Sequence, residues 1–435
     1  MASAGGRAGV AIVRLSGPGA LATLGALAPG LSVKPRFAHR VRFADPADGT
    51  VLDDGLALLF PAPASFTGED VVELHVHGGP AVLERLFTAL AGLGLRAAGP
   101  GEFSRRAFAN GKIDLTAAEG LADLIAADSE AQRVQALAQV GGVWGAVITD
   151  WQARLLDVLA LLEASIDFVD EDDIPDSVTE SVAERLAALA DEMAAHLADE
   201  RRGEIIRDGL RVAIVGPPNV GKSTLLNALA GREAAIVSDI PGTTRDIVEV
   251  RLDLDGYVVV LADTAGQRAS DDPIEQEGVR RARARAETSD LRIFVSDHRT
   301  RVGLETDELT QPGDVLFLNK ADLGVPGQPD LPPSKSITLM GSALTGAGLS
   351  ELLTVLTDRV RETASQTAVL VTRQRHRENL SYSHASTQRA SQPGHPPDLA
   401  AEDVRLALRA LARIVGRFDV EEVLDLIFSS FCIGK

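Results

Sequence analysis

Gly216-Pro217-Pro218-Asn219-Val220-Gly221-Lys222-Ser223 decides how the middle of this chain folds. It fits the pattern G-x-x-x-x-G-K-[ST], and its setting is the one that pattern needs. A short β-branched run, Arg211–Val215, precedes it, and a helical pattern, Thr224–Leu229, follows. Glycines let successive backbone N–H groups wrap a phosphate without a Cβ in the way. Lys222 can reach the β- and γ-phosphates, and Ser223 can ligate Mg²⁺. The start of the helix adds positive potential. Asn219, Val220, Gly221, Lys222, Ser223 and Thr224 are therefore candidate nucleotide contacts.

Three further stretches follow in an order that fits the first. Asp263-Thr264-Ala265-Gly266 comes directly after the apolar run Tyr257–Ala262. An acidic residue at a strand end can hold the Mg²⁺ shell, and the glycine N–H can sense the γ-phosphate. Asn319-Lys320-Ala321-Asp322 follows the run Val315–Leu318. The Asp322 carboxylate can accept from guanine N1–H and from the 2-amino group. Adenine lacks that donor pair, so the stretch selects GTP over ATP. Ser342-Ala343-Leu344 then supplies a backbone N–H for the guanine carbonyl. Between the first two stretches lies Gly242-Thr243-Thr244-Arg245-Asp246, entered through Ser238-Asp239-Ile240-Pro241. Thr244 is the natural second hydroxyl ligand for Mg²⁺, in a segment that orders when γ-phosphate is present. Together these stretches describe a GTP-hydrolysing switch.

Outward from this core the texture changes twice. With 435 residues, the prior is two or three domains. Residues 1–112 mix short β-like runs, Val10–Leu15 and Val71–Val76, with glycine turns, which reads as an α+β domain. Residues 113–205 are rich in alanine and leucine. There Trp151, Leu155, Leu159 and Leu162, and then Val182, Leu186, Leu189, Met193 and Leu197, recur at helical spacing. Residues 206–362 alternate strands with helices, adding Leu291–Val295 to the runs above, and predict a mostly parallel sheet. Residues 363–435 return to helical texture, with Val404, Leu408, Leu411 and Val415 on one stripe. Neither helical stretch looks complete alone. The expected architecture is a multidomain chain: an N-terminal α+β domain, a central α-helical bundle, and a Ras-like α/β P-loop GTPase domain inserted into that bundle.

Bulk properties narrow the class. The net charge of −19 repels nucleic acid at long range, so an RNA partner must meet a local basic surface. The single cysteine, Cys432, allows no intrachain disulfide and fits a reducing compartment. No apolar run approaches about 18 residues, and Met1–Gly9 does not read as a secretory signal, so a cytoplasmic location is expected.

The chain resembles the bacterial tRNA-modification GTPase family MnmE, also called TrmE, over nearly its whole length. The carrying residues are Ser65-Phe66-Thr67-Gly68-Glu69-Asp70, His77-Gly78-Gly79, Gly101-Glu102-Phe103-Ser104, Gly242-Thr243-Thr244-Arg245-Asp246 and the terminal Phe431-Cys432-Ile433-Gly434-Lys435. The resemblance implies a homodimer built through N-terminal domains that are folate-binding in type and hold a one-carbon tetrahydrofolate. It makes Arg14, Glu73, Lys112 and Lys435 the folate candidates. It implies a heterotetramer with an MnmG-like FAD protein that adds an aminomethyl-type group to carbon 5 of the tRNA wobble uridine. It implies K⁺ activation as well, with Asn219, Ser238, Ile240 and Thr243 as K⁺ ligands. It makes Glu275, twelve residues after Asp263 and followed by Gly278, the water-orienting residue.

One departure leaves that last role open. Gln267 stands directly after Asp263-Thr264-Ala265-Gly266, where Ras-type GTPases place a catalytic glutamine. Gln267 and Glu275 therefore compete to position the attacking water. Three other features read more simply. His75 and His77 share a strand face, but no further Cys/His cluster completes a zinc site. Arg280, Arg281, Arg283 and Arg285 read as a solvated helix face before an RNA contact. Cys432 has no activating base nearby. The alternative reading of the whole chain is a ribosome-assembly GTPase acting as a binding switch.

Overall fold

A computed structural model describes residues 1–167, 176–199, 201–232, 234–236, 249–263, 284, 286–299, 310–324, 336–364, 370–417, 424, 427–428 and 431.

The N-terminal segment forms β1 (Ala8–Ser16), α1 (Ala20–Leu27), β2 (His39–Ala44), β3 (Val51–Phe60), β4 (Val71–Gly78) and α2 (Pro80–Gly92). Its four strands pair antiparallel in the order β1-β4-β3-β2. Alternation decides the burial. Ala11, Val13 and Leu15 of β1 and Val72, Leu74 and Val76 of β4 point into one core with Leu24 and Leu27 of α1 and Leu86 and Leu90 of α2. The opposite face keeps Arg14, Glu73 and His75 half-buried and available for chemistry.

Helices follow: α3 (Glu102–Ala109), α4 (Leu115–Ala126), α5 (Glu130–Val140), α6 (Val143–Asp167), α7 (Asp176–Leu197) and α8 (Arg202–Asp208). In α6, Trp151, Leu155 and Leu162 of the expected stripe are buried, but Val158 takes the core position expected of Leu159, which is half-buried. Val182, Leu186, Leu189 and Met193 of α7 are buried likewise.

The central segment is a six-stranded sheet of β5 (Leu210–Val215), β6 (Glu249–Leu254), β7 (Tyr257–Asp263), β8 (Leu291–Asp297), β9 (Val315–Asn319) and β10 (Ile337–Met340), with α9 (Lys222–Ala230) and α10 (Leu349–Ala364). The order is β10-β9-β8-β5-β7-β6, and only β6 runs antiparallel to its neighbour. Strands β8 and β9 are buried at every position, because helices cover both faces of a parallel sheet. The carboxyl ends of β5, β7, β8 and β9 gather Val215, Asp263, Asp297 and Asn319 at one edge, where open α/β sheets bind ligands.

Two last helices are α11 (Gln374–Ala390) and α12 (Pro397–Val415). Helix α12 packs along α6, so helical texture from both sides of the central segment forms one bundle. An Arg405–Glu163 ion pair of 2.9 Å crosses that contact.

The chain divides into two compact units. One comprises Met1–Ala122, Gln139–Ala183 and Arg389–Lys435; the other comprises Asp123–Ala138 and Glu184–Gln388. The short stretch Asp123–Ala138, helical in texture, thus belongs with the nucleotide-type sheet. Its backbone makes the reason visible: Ala131 N–H donates to Gly256 O, in the turn between β6 and β7, at 3.1 Å.

Candidate functional site

The phosphate loop runs from the end of β5 to the first residue of α9. Gly221 holds φ at +97°, and a Cβ there would lie 2.3 Å from Asn319 Nδ2, so only glycine fits. At Gly216 a Cβ would meet Val295 O at 2.2 Å. Lys222 Nζ donates to Gly216 O and to Pro217 O, both at 2.8 Å, which holds the ammonium inside the curve of the loop. Burial lowers the Lys222 pKa, and the Asp263 charge opposes that shift. Ser223 Oγ donates to Asp263 Oδ2 at 2.6 Å. The hydroxyl and the carboxylate named from sequence therefore sit side by side, although 40 residues separate them.

Asn319 stitches three loops together. Its Nδ2 donates to Val220 O at 2.7 Å, and its Oδ1 accepts from Ala343 N–H at 2.8 Å. The side chain is 3 % exposed, so each bond replaces water that cannot reach it. Lys320 Nζ donates to Asn219 O at 2.8 Å and to Asp297 Oδ2 at 3.0 Å. Ala321 N–H donates to Gly341 O, which aligns the 3-10 turn Ala321–Leu323 beside the Ser342 loop. Ser342 is buried and its Oγ accepts from Thr345 N–H at 3.2 Å, while Asp322 and Leu344 face solvent. Asn219, Val220, Gly221, Lys222, Ser223, Asp263, Asn319, Lys320, Ala321, Ser342 and Ala343 are thus brought to one edge of the sheet. Thr224 follows Ser223 in the first turn of α9.

The structure adds two residues that the sequence motifs missed, Asp297 and Arg299. Arg299 Nη2 lies 3.0 Å from Asp297 Oδ2, and the Arg299 N–H donates to Asp297 Oδ1 at 3.0 Å. The Arg299 guanidinium, helped by Lys320 and against the cost of burial, holds the Asp297 carboxyl far below the usual carboxylate range. An acidic residue closing a parallel strand at the ligand edge was the available signal.

Ser238, Asp239, Ile240, Pro241, Gly242, Thr243, Thr244, Thr264, Ala265, Gly266, Gln267, Glu275, Gly278, Cys432 and Lys435 lie outside the described residues. So do Arg280, Arg281, Arg283 and Arg285.

A second cluster occupies the N-terminal sheet. Arg14 and Glu73 face each other across β1 and β4, and Arg14 Nη2 donates to Glu73 Oε1 at 2.7 Å. The Arg14 guanidinium lies 6.0 Å from the Phe66 ring centroid and 5.8 Å from that of Phe103, within cation–π range. Lys112 Nζ donates to Pro63 O at 3.0 Å, on the loop that carries Phe66. That loop is pinned from below. Ser16 Oγ donates to Glu69 Oε2 at 2.8 Å, and Arg106 bridges Glu69 and Glu102 at 2.8 and 2.6 Å. Phe428 and Phe431 pack with Phe108, Ile113 and Ala118, at the helices next to Phe103. His75 and His77 have separate partners: His75 Nε2 lies 3.3 Å from Glu73 Oε2 and His77 Nδ1 lies 2.9 Å from Asp53 Oδ1. Among the described residues no group of three or more His, Cys, Asp or Glu side chains is placed to hold a metal ion.

A parallel sheet, a phosphate loop closed by Lys222 and Ser223, and a guanine-type loop locked to it through Asn319 define a P-loop GTPase. Its sequence relatives specify the kind. The MnmE helical domain matches residues 115–432, and the GTP-binding protein TrmE N-terminus matches residues 1–112. The tRNA modification GTPase MnmE of Parvibaculum lavamentivorans is 54% identical over 442 residues, covering 100% of this chain and 99% of the relative. Those of Paramagnetospirillum magneticum and Azorhizobium caulinodans are each 51% identical, over 100% and 98% of this chain and 98% and 96% of theirs. The chain belongs to the MnmE (TrmE) family and is a GTP hydrolase of tRNA modification. Among the described residues, no helix is long and apolar enough to cross a membrane.

Proposed function

We propose that this chain is a K⁺-dependent GTP hydrolase of the cytoplasm that acts as a homodimer with an MnmG-like FAD protein. Together they add a (carboxymethyl)aminomethyl group to carbon 5 of the tRNA wobble uridine. Similarity across the full length of tRNA modification GTPases carries the reading. At the nucleotide, Lys222 would leave the loop carbonyls for the β- and γ-phosphates. Asp322 would read guanine, held by the turn that Asn319 and Lys320 anchor. The Ser223 hydroxyl and Asp263 carboxylate, 2.6 Å apart, are hard oxygen donors of the kind Mg²⁺ prefers, and Thr244 would complete that set. Asn219 would hold K⁺ with Ser238, Ile240 and Thr243, and the cation's charge would offset that developing between the phosphates. Glu275 would orient the attacking water. We expect Glu275→Ala to abolish K⁺-stimulated turnover and Gln267→Ala to leave it nearly unchanged; the reverse pattern of rates would reassign the role.

In the N-terminal domain, Arg14 and Lys112 suit a ligand bearing carboxylates and an electron-rich pterin, and Phe66 and Phe103 offer flat apolar faces beside Arg14. Reduced folate would supply the one-carbon unit. Glu73 orients Arg14, and Lys435 would contribute a further cation for the ligand's carboxylates. The deciding experiment is nucleoside analysis of wobble uridines in cells lacking the gene. Loss of the C5 substituent is expected. An unchanged uridine profile would overturn the proposal.

A further inference from the structure

Two residues of the nucleotide site hold strained backbone. Asn219 has φ +64° and Lys320 has φ +67°, in the left-handed region that non-glycine residues occupy only when their surroundings hold them there. One hydrogen bond joins the two, from Lys320 Nζ to Asn219 O at 2.8 Å. The same ammonium reaches Asp297 Oδ2 at 3.0 Å. Asp297 closes β8 directly opposite Asn319 in the parallel register, and it is 6 % exposed. Its carboxylate is therefore a fixed point from which the four-carbon stem of Lys320 is aimed at the phosphate loop. Arg299 donates to both oxygens of that carboxylate, from Nε to Oδ1 at 3.2 Å and from Nη2 to Oδ2 at 3.0 Å, and keeps it oriented.

We infer that Asp297 is a positioning residue of the GTPase, holding Lys320 against the Asn219 carbonyl and so locking the phosphate loop and the guanine loop into their binding conformations together. None of the nucleotide motifs includes it. A lysine with no anion beside it regains its rotamers, and the single remaining bond to Asn219 O competes with water. Both strained residues then relax, and contacts to the phosphates and to guanine loosen at once. The side-chain bonds of Asp297 run to Arg299 and Lys320, so the chemical step is expected to keep its rate once GTP is bound.

The test uses the full chain and a fluorescent GDP analogue. Asp297→Asn keeps the shape of the side chain and removes its charge, and Asp297→Ala removes both. Each is expected to speed GDP release about tenfold, the scale of one charge-assisted hydrogen bond. The KM for GTP should rise by a similar factor, with kcat within about twofold of the parent. Lys320→Met should release GDP fast by itself, and adding Asp297→Asn to it should change nothing further. Release at the parental rate in Asp297→Asn would overturn the inference. So would a fall in kcat at constant KM, or a full Asp297→Asn effect in the Lys320→Met background. Where Asp297→Ala does not fold, Asp297→Asn alone decides.

Discussion

Single side chains in this molecule do their work by reaching across long sequence distances. Asn319 joins Val220, 99 residues before it, to Ala343, 24 after it. Asp322 lies exposed on its turn, where the proposed function has it read guanine. The Asp322 carboxylate has two acceptor atoms for the two donors on the Watson–Crick edge of guanine. Asp322→Ala is therefore expected to weaken GTP by about tenfold or more and to narrow its preference over ATP, read by competing ATP against labelled GTP. Glu102 shows the same economy in the other domain. Arg96 above all, then Gly99 N–H and Arg106, lower its pKa from 4.5 to about 2 against the cost of burial. A carboxyl whose pKa falls on folding adds stability above its unfolded value and loses it as pH drops through the folded one. Glu102→Gln should thus be less stable than the parent at neutral pH. The gap should close between about pH 4.5 and pH 2, as urea midpoints across that range would show. Equal midpoints at neutral pH would rule out a stabilising role for the carboxylate.

At the scale of elements, the most informative contacts surround Asp123 at the end of α4. Its Oδ1 accepts from Arg207 Nε at 3.0 Å and from Arg373 Nη2 at 2.8 Å. Arg207 sits on the helix that enters β5, and Arg373 just ahead of α11, so one carboxylate ties the entry of the inserted domain to its exit. Asp128 pairs with Arg251 of β6 at 3.0 Å, and Gln132 Nε2 donates to Arg207 O at 2.8 Å. Asp123→Ala strips a half-buried acceptor from two arginines and is expected to cost about 2 kcal/mol. Asp150→Ala, which loses the exposed 3.3 Å pair with Arg154, should cost under about 1 kcal/mol; chemical denaturation of both variants checks the contrast. None of this clamp is visible in the sequence. The phosphate loop is legible because its spacing encodes backbone geometry: a glycine where Asn319 leaves no room, and a lysine at the first residue of the helix that follows. The strands β5, β7, β8 and β9 are legible because burial on both faces demands continuous apolar runs. β3 hides its strand character behind Asp53, Asp54 and Gly55, which pair with Phe43, Arg42 and Val41 of β2 while Asp53 accepts from His77 N–H of β4, and β10 is mostly exposed. Asp297 and the Asp123 clamp stay hidden for another reason. Each is a lone acid whose meaning lies in a partner brought to it by folding.

For the whole molecule, the unusual quantity is charge. A chain of net −19 in a family that modifies tRNA has to approach a polyanion with its own field opposed. The arginines of the described structure reinforce the point, because many are committed: Arg14 to Glu73, Arg106 to Glu69 and Glu102, Arg207 to Asp123, Arg292 to Asp314 and Arg377 to Asp199 and Glu204. Arginines held in such pairs are not free to displace counterions from phosphates. The salt dependence of tRNA binding measures the number of phosphate contacts directly, since log K falls with log salt in proportion to the phosphates neutralised. A protein making about six to ten phosphate contacts loses about a thousandfold or more in affinity between 50 and 200 mM salt. For this chain alone the expected loss is under about tenfold, from weak binding at the outset, as one or two contacts would give. Under the proposed function, the remaining contacts would then come from the MnmG-like protein. Adding the proposed MnmG-like protein should both tighten binding and steepen the slope. A steep slope for the chain alone, measured by filter binding across that salt range, would instead place the tRNA-binding surface on this subunit.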